Sequence, residues 1–197
     1  PVLHSIPSTV QSVNITMGFP LSQTPVFSLI SALMTLQNSG YDKTKGHYHY
    51  KSVLSVLKHP YIKQLEPSAE ALATEIIDKN KFYLTPSEFG HSSYLAHFFS
   101  PQLESKAFCE YLKKAIELVT ELYRKEETEQ SIFDQLYRES LFNTYTTINK
   151  IYLLIEAGEL PVKCSTLQHL IEKILSSTTI PFHGEPAIGM QVMGVLE

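Results

Sequence analysis

The spacing of apolar and polar residues changes twice along this chain. From Ser12 to Met17, apolar Val13, Ile15 and Met17 alternate with Ser12, Asn14 and Thr16. This two-residue period predicts a half-buried strand, interrupted by Gly18 and Pro20. The period then lengthens. Thr24 and Pro25 form an N-cap followed by a proline in the first helical position. Val26, Leu29, Ile30, Leu33, Met34 and Leu36 follow at helical spacing, as far as Asn38–Gly40. The stretch YDKTKGHYHY, residues 41–50, is read as a polar, aromatic loop. KSVLSVLKHPYI is a short helix stopped by His59-Pro60, and EPSAEALATEIIDKN is a further helix ending at Asn80. TPSE, residues 85–88, matches a capping box of Thr85 and Glu88. Phe108, Tyr111, Leu112, Ile116, Val119, Leu122 and Tyr123 share one face of a long helix. A second long helix runs from SIFDQ to Gly158 and Pro161. The short polar EETEQ between them predicts an antiparallel hairpin. STLQHLIEKILSS gives one more helix, capped by Ser165 or Thr166, and MQVMGVL returns to strand character after a loop rich in proline and glycine.

The predicted fold is therefore mainly α: about five to seven helices, including the long hairpin, between two short terminal strands that pair with each other. A lone two-stranded ribbon is marginal in water, so the strands are expected to belong to a larger sheet. The helical body then reads as an insertion into an α/β domain. A start at Pro1 and an end inside an apolar strand suggest an internal piece of a longer protein.

Composition narrows the class. Of the 197 residues, 43% are hydrophobic and 18% charged, which predicts a packed domain rather than disorder. A net charge of -4 argues against a dedicated, strongly basic DNA-binding domain but allows a local basic patch. The two cysteines, Cys109 and Cys164, form no CxxC pair, which points away from a zinc site or disulfide framework and towards a reducing cytoplasm. No signal-peptide pattern is present, and no stretch approaches the ~18 apolar residues of a membrane span, so no membrane partner is expected.

The chain lacks GxxxxGK[ST], GxSxG, HExxH and an EF-hand loop. His47 and His49 are spaced to share one side of a strand as metal ligands, but no third ligand is marked nearby. Glu104-Ser105-Lys106 has the E-x-K spacing of metal-dependent nucleases, yet it begins a helix and reads as a solvated first turn. His183 and Glu185 could form an acid–base dyad, with no nucleophile marked beside them. The strongest signal is residues 41–63, with five lysines, one acidic residue, four tyrosines and three histidines. Lysines for phosphates interleaved with rings for bases suit single-stranded nucleic acid. Lys43, Lys45, Tyr48, Tyr50 and Lys51 are the candidate DNA-binding residues; a polar loop beside an exposed helix face is the plain alternative. Residues 110–139, with eight acidic and five basic residues, read as a solvated helix face.

Three segments, VNITMGFPLSQTPVFSLISALMTLQ, YKSVLSVLKHPYI and PFHGEPAIGMQVMGVLE, resemble the C-terminal helicase half of AddB-like and RecB-like DNA-repair proteins. The likeness is to a Bacteroidetes type described as an inactivated superfamily I helicase fused to a PD-(D/E)XK nuclease. MQVMGVLE is the distinctive motif, LKHPYI much less so, and the middle helices match only in kind. The resemblance implies a RecA-like host domain, with residues 1–23 as its strand stub, 24–177 as the inserted helical subdomain and 178–197 as the returning loop and strand. It implies that any phosphate loop and metal-binding acidic motif lie before this chain, that the nuclease E-x-K lies after it, and that any ATP and Mg belong to the parent. No catalytic residue and no cofactor are then expected here. The implied partners are DNA, single-stranded or a duplex end, and a helicase-nuclease subunit. Two rivals stand beside this reading. One is a protein-interaction module in which helices within 102–157, with Tyr123, Phe133 and Tyr137, present a groove. The other is an independent hydrolase centred on His183 and Glu185.

Overall fold

Thr24 and Pro25 start the helical body as their chemistry predicts. In the computed structural model, which describes residues 13–16, 18–124, 132–180 and 190–193, α1 spans Pro25–Thr35 and the Thr24 hydroxyl accepts from the Phe27 N–H at 3.4 Å. Every apolar position of the predicted stripe from Val26 to Leu36 is buried. A wider helical turn, Leu36–Gly40, closes the element. Gly40 is required there because a Cβ at this position would lie 2.6 Å from the Cβ of Ser52.

Proline and histidine divide the next stretch. Helix α2 spans Tyr50–Leu57 and α3 spans Pro60–Leu65. Pro60 stops the first and, lacking an N–H, fits the first turn of the second. Buried His59 caps α3, its Nδ1 accepting from the Tyr61 N–H at 3.3 Å. Its Nε2–H then donates to the Ser28 hydroxyl at 2.9 Å, and that hydroxyl donates to the Pro25 carbonyl at 2.8 Å. Helix α4 spans Ser68–Asp78 and α5 spans Ser93–Phe98. Between them the Glu88 carboxylate accepts from the Thr85 N–H at 2.9 Å, as the TPSE spacing predicts.

The long hairpin is present. Helix α6 spans Ser105–Arg124 and α7 spans Ile132–Glu156. Their partners run in opposite order along the chain: Lys106 with Glu156, Lys113 with Asn149, Glu117 with Tyr145, and the Tyr123 carbonyl with Arg138. That order makes the pair antiparallel. Helix α8, Cys164–Ser177, begins with Lys163 in the N-cap position rather than Ser165 or Thr166. The β-sheet content exceeds the two terminal strands expected. Strand β1, Val13–Thr16, and β7, Met190–Met193, pair in parallel with Val13 opposite Met190. A parallel pair needs a crossover connection, and here the helical body lies within it. Strands β2 (Phe19–Pro20) and β6 (Thr179–Ile180) pair antiparallel, and the Leu21 N–H donates to the Thr178 carbonyl at 2.9 Å. This clasp brings the two ends of the helical body together. One continuous core extends from Leu21 to Ile180 through α1–α8.

Of the segment read as a loop, residues 41–50, the part from Tyr41 to His49 is instead a hairpin, and Tyr50 already belongs to α2. Strand β3 is Tyr41–Asp42 and β4 is His47–His49, and β5, Tyr83–Leu84, adds to the far side of β4. Asp42 builds the turn: its carboxylate accepts from the N–H groups of Thr44 and Lys45 at 2.9 and 3.2 Å. Those bonds, the one from Lys45 foremost, hold its carboxyl below the usual carboxylate range. Gly46 supplies the left-handed backbone, φ 71°, that returns the chain.

Candidate nucleic-acid interface

Side chains alternate across the small sheet, and this alternation sorts the candidate residues. Register places Tyr41 opposite Tyr48, and Tyr48 opposite Leu84. These three face the core: Tyr48 and Leu84 are fully buried and Tyr41 is half-buried. The Tyr48 ring meets Tyr41 at 4.8 Å and Phe99 edge-on at 5.9 Å. Its hydroxyl donates to the Phe99 carbonyl at 3.0 Å, and burial pushes its pKa far up. Tyr48 is therefore withdrawn from the DNA-binding set, because a ring with no exposed surface cannot stack on a base.

The opposite face carries Asp42, His47, His49 and Tyr83. His47 and His49 do share one side of the strand, and Tyr83 lies against both, with ring centroids 4.4 and 6.1 Å away. His49 also packs on Tyr50 at 4.9 Å, and Tyr50 meets Phe82 edge-on at 5.5 Å. The Tyr50 N–H donates to the Phe82 carbonyl at 3.0 Å, joining the start of α2 to the residue before β5. Five rings thus form one patch. Tyr83 is 60% exposed and Phe82 56%, although folding usually covers large rings. His49 Nδ1 accepts from the Lys51 N–H at 3.4 Å, so the first turn of α2 is fixed to the same face.

The lysines divide among three places. Lys51 is exposed directly after Tyr50. Lys45 is exposed on the hairpin turn, its ammonium 3.9 Å from Asp42, a long contact that leaves most of its charge to solvent. Lys43 belongs elsewhere: it lines a polar cleft with Gln102, Lys163 and Gln168. The structure therefore unites Tyr50 and Lys51, places Lys45 on the adjoining turn, sends Lys43 to the cleft and buries Tyr48. The other rings of residues 41–63 divide similarly, with His59 and Tyr61 buried in the core. Phe82 and Tyr83 escaped the sequence reading. Tyr83 begins a strand too short to register as an alternating pattern, Phe82 directly precedes it, and only the pairing of that strand with β4 brings the two rings to this face.

The other motifs resolve simply. Among the described residues no group of three or more His, Cys, Asp or Glu side chains could hold a metal ion. Glu104 is exposed directly before α6, and Lys106 pairs with Glu156 at 3.0 Å, so the E-x-K triplet straddles the start of a helix with its lysine engaged elsewhere. His183, Glu185 and the Phe133 side chain lie outside the described residues. No helix among the described residues is long and apolar enough to cross a membrane. Comparison of the chain with family models, with curated proteins and with solved structures found no match.

Proposed function

We propose that this chain is a non-catalytic helical domain, inserted into the RecA-like domain of a helicase-nuclease that processes DNA breaks, and that it holds single-stranded DNA on the outer face of β3–β4–β5. The carrying observation is the exposure of Tyr83 and Phe82 beside His47, His49 and Tyr50. A base stacked on an aromatic side chain is worth roughly 1–3 kcal/mol, and stacking requires bases that are not already paired. Lys51 and Lys45 supply charge for the phosphates at the edge of this platform. The insertion reading is supported by the parallel pairing of β1 with β7 and the clasp of β2 with β6. In this reading the boundaries fall at 1–23, 24–177 and 178–197, and any ATP, Mg or nuclease chemistry belongs to the parent protein.

The test is fluorescence anisotropy with labelled oligo-dT and a duplex of equal length. Single strands bind more tightly, and Tyr83→Ala and Lys51→Glu each weaken binding at least fivefold. Affinity unchanged by both substitutions refutes the platform. A second reading, a protein-interaction module, is favoured by the groove of about 360 Å³ between α6 and α7. It is lined by Ile116, Leu141, Phe142 and Tyr145, and Phe142 is 69% exposed. Co-purification with a helicase-nuclease subunit, abolished by Phe142→Glu and without DNA affinity, selects that reading instead.

A further inference from the structure

A polar cleft of about 430 Å³ opens where the turn after α1, the segment 102–105 and the start of α8 meet. Its walls include the beginnings of two long helices, α6 at Ser105 and α8 at Cys164. The Ser105 hydroxyl donates to the Val162 carbonyl at 2.7 Å and fixes the two beginnings together. Helix α8 has no side-chain cap, so its first-turn N–H groups are not taken by a capping oxygen. Helix N-termini of this kind attract anions through their N–H groups and their dipoles. Exposed Lys43 and Lys163 line the same cleft, against the single carboxylate of Glu104. Lys43 lies near enough to Cys164 to offset part of the rise that burial imposes on that thiol's pKa.

The independent sign of a ligand is Gln168. It is 5% exposed, lines the cleft, and its Oε1 is buried with no hydrogen-bond partner. Buried amides are ordinarily satisfied, and an orphaned one is costly. Half a turn of the terminal amide exchanges Oε1 for Nε2. Gln168 can therefore offer two N–H donors to an oxyanion, or an acceptor to a hydroxyl beside it.

We propose that this cleft is a phosphoryl-binding site, taking inorganic phosphate or the phosphate of an ester such as the 5′ end of a nucleic-acid strand. Lys43, Lys163 and the start of α8 hold the charged oxygens, and Gln168 completes the shell. The cleft is larger than a phosphate ion, so the group attached to the phosphate has space beside it. The inference does not rest on the DNA reading.

Calorimetric titration with inorganic phosphate, against chloride at equal ionic strength, tests the site directly. Wild-type protein binds phosphate, and Lys43→Met and Lys163→Met each weaken it about tenfold, the loss of one charge-assisted contact. Gln168→Leu weakens phosphate binding while leaving the phosphate-free melting temperature unchanged or raised, a combination that a purely structural Gln168 does not give. Absence of phosphate binding, or affinity unaltered by all three substitutions, overturns the proposal. A second arm compares oligo-dT with and without a 5′ phosphate in the Tyr83→Ala protein, whose cleft is intact. Tighter binding of the phosphorylated strand identifies a strand end as the source. Binding of inorganic phosphate but of neither strand by wild-type protein leaves the cleft standing and removes the DNA reading.

Discussion

Replacing Tyr48 by phenylalanine deletes one hydroxyl and leaves the ring contacts with Tyr41 and Phe99 in place. That hydroxyl donates to the Phe99 carbonyl at 3.0 Å in a fully buried setting. The substitution leaves the carbonyl without this donor, where water cannot readily replace it. Stranding a buried polar group costs roughly 1–3 kcal/mol, against about 1 kcal/mol for the average exchanged hydrogen bond. A value near 2 kcal/mol is expected, since both partners are buried. With a urea slope of about 2 kcal/mol/M for a domain of this size, the unfolding midpoint falls by about 1 M. DNA affinity, measured by anisotropy on the folded protein, stays within about twofold of wild type. An unchanged midpoint refutes the packing argument, because the hydroxyl must then be solvated. An unchanged midpoint combined with weakened DNA binding returns Tyr48 to the interface.

The remaining predictions concern acid, backbone space and thiols. Burial lowers the pKa of His59 and His97 in the folded state, so the unfolded chain binds more protons as pH falls. Stability is then complete above about pH 6.5 and declines below it towards the depressed folded values. Melting temperatures recorded from pH 7.5 to pH 5 show this loss, and it is reduced in the His59→Gln, His97→Gln double variant. Gly40→Ala costs roughly 1–3 kcal/mol in urea unfolding, because the new methyl group collides with Ser52. Combining it with Ser52→Gly costs less than the sum of the two single changes, since the collision is removed. Cys109 is buried and its thiol is pushed up to about 12 by desolvation, so iodoacetamide at pH 8 modifies it only when urea unfolds the chain. Mass spectrometry of the labelled peptides reads this, and rapid labelling of native Cys109 contradicts its place in the core.

The sequence alone determined what depends on neighbours a few positions apart. Thr24-Pro25 starts α1, Glu88 reaches back to Thr85, and the apolar stripe from Phe108 to Val119 is the buried face of α6. Each is a local matter of capping chemistry or of the 3.6-residue period, and so was the existence of the hairpin α6–α7. Alternation near the start of the chain and an apolar run near its end likewise marked the strands that pair as β1 and β7.

What required the tertiary structure was every feature decided by a partner far along the chain. Strands of two and three residues are too short to announce themselves, so residues 41–50 read as a loop until β5 paired with β4. That pairing turned Tyr48 inward and set His47, His49 and Tyr83 outward, because successive side chains on a strand point to opposite faces. The candidate rings thus changed membership: Tyr48 left the set, and Tyr83 joined His47, His49 and Tyr50 on the outer face. Lys43 separated from its sequence neighbours for a related reason. Turn geometry directed it to the cleft, where Lys163 and Gln168 join it from a helix that begins far along the chain. Periodicity reports which side of an element is apolar; only packing decides which polar residues of distant elements come to face the same space.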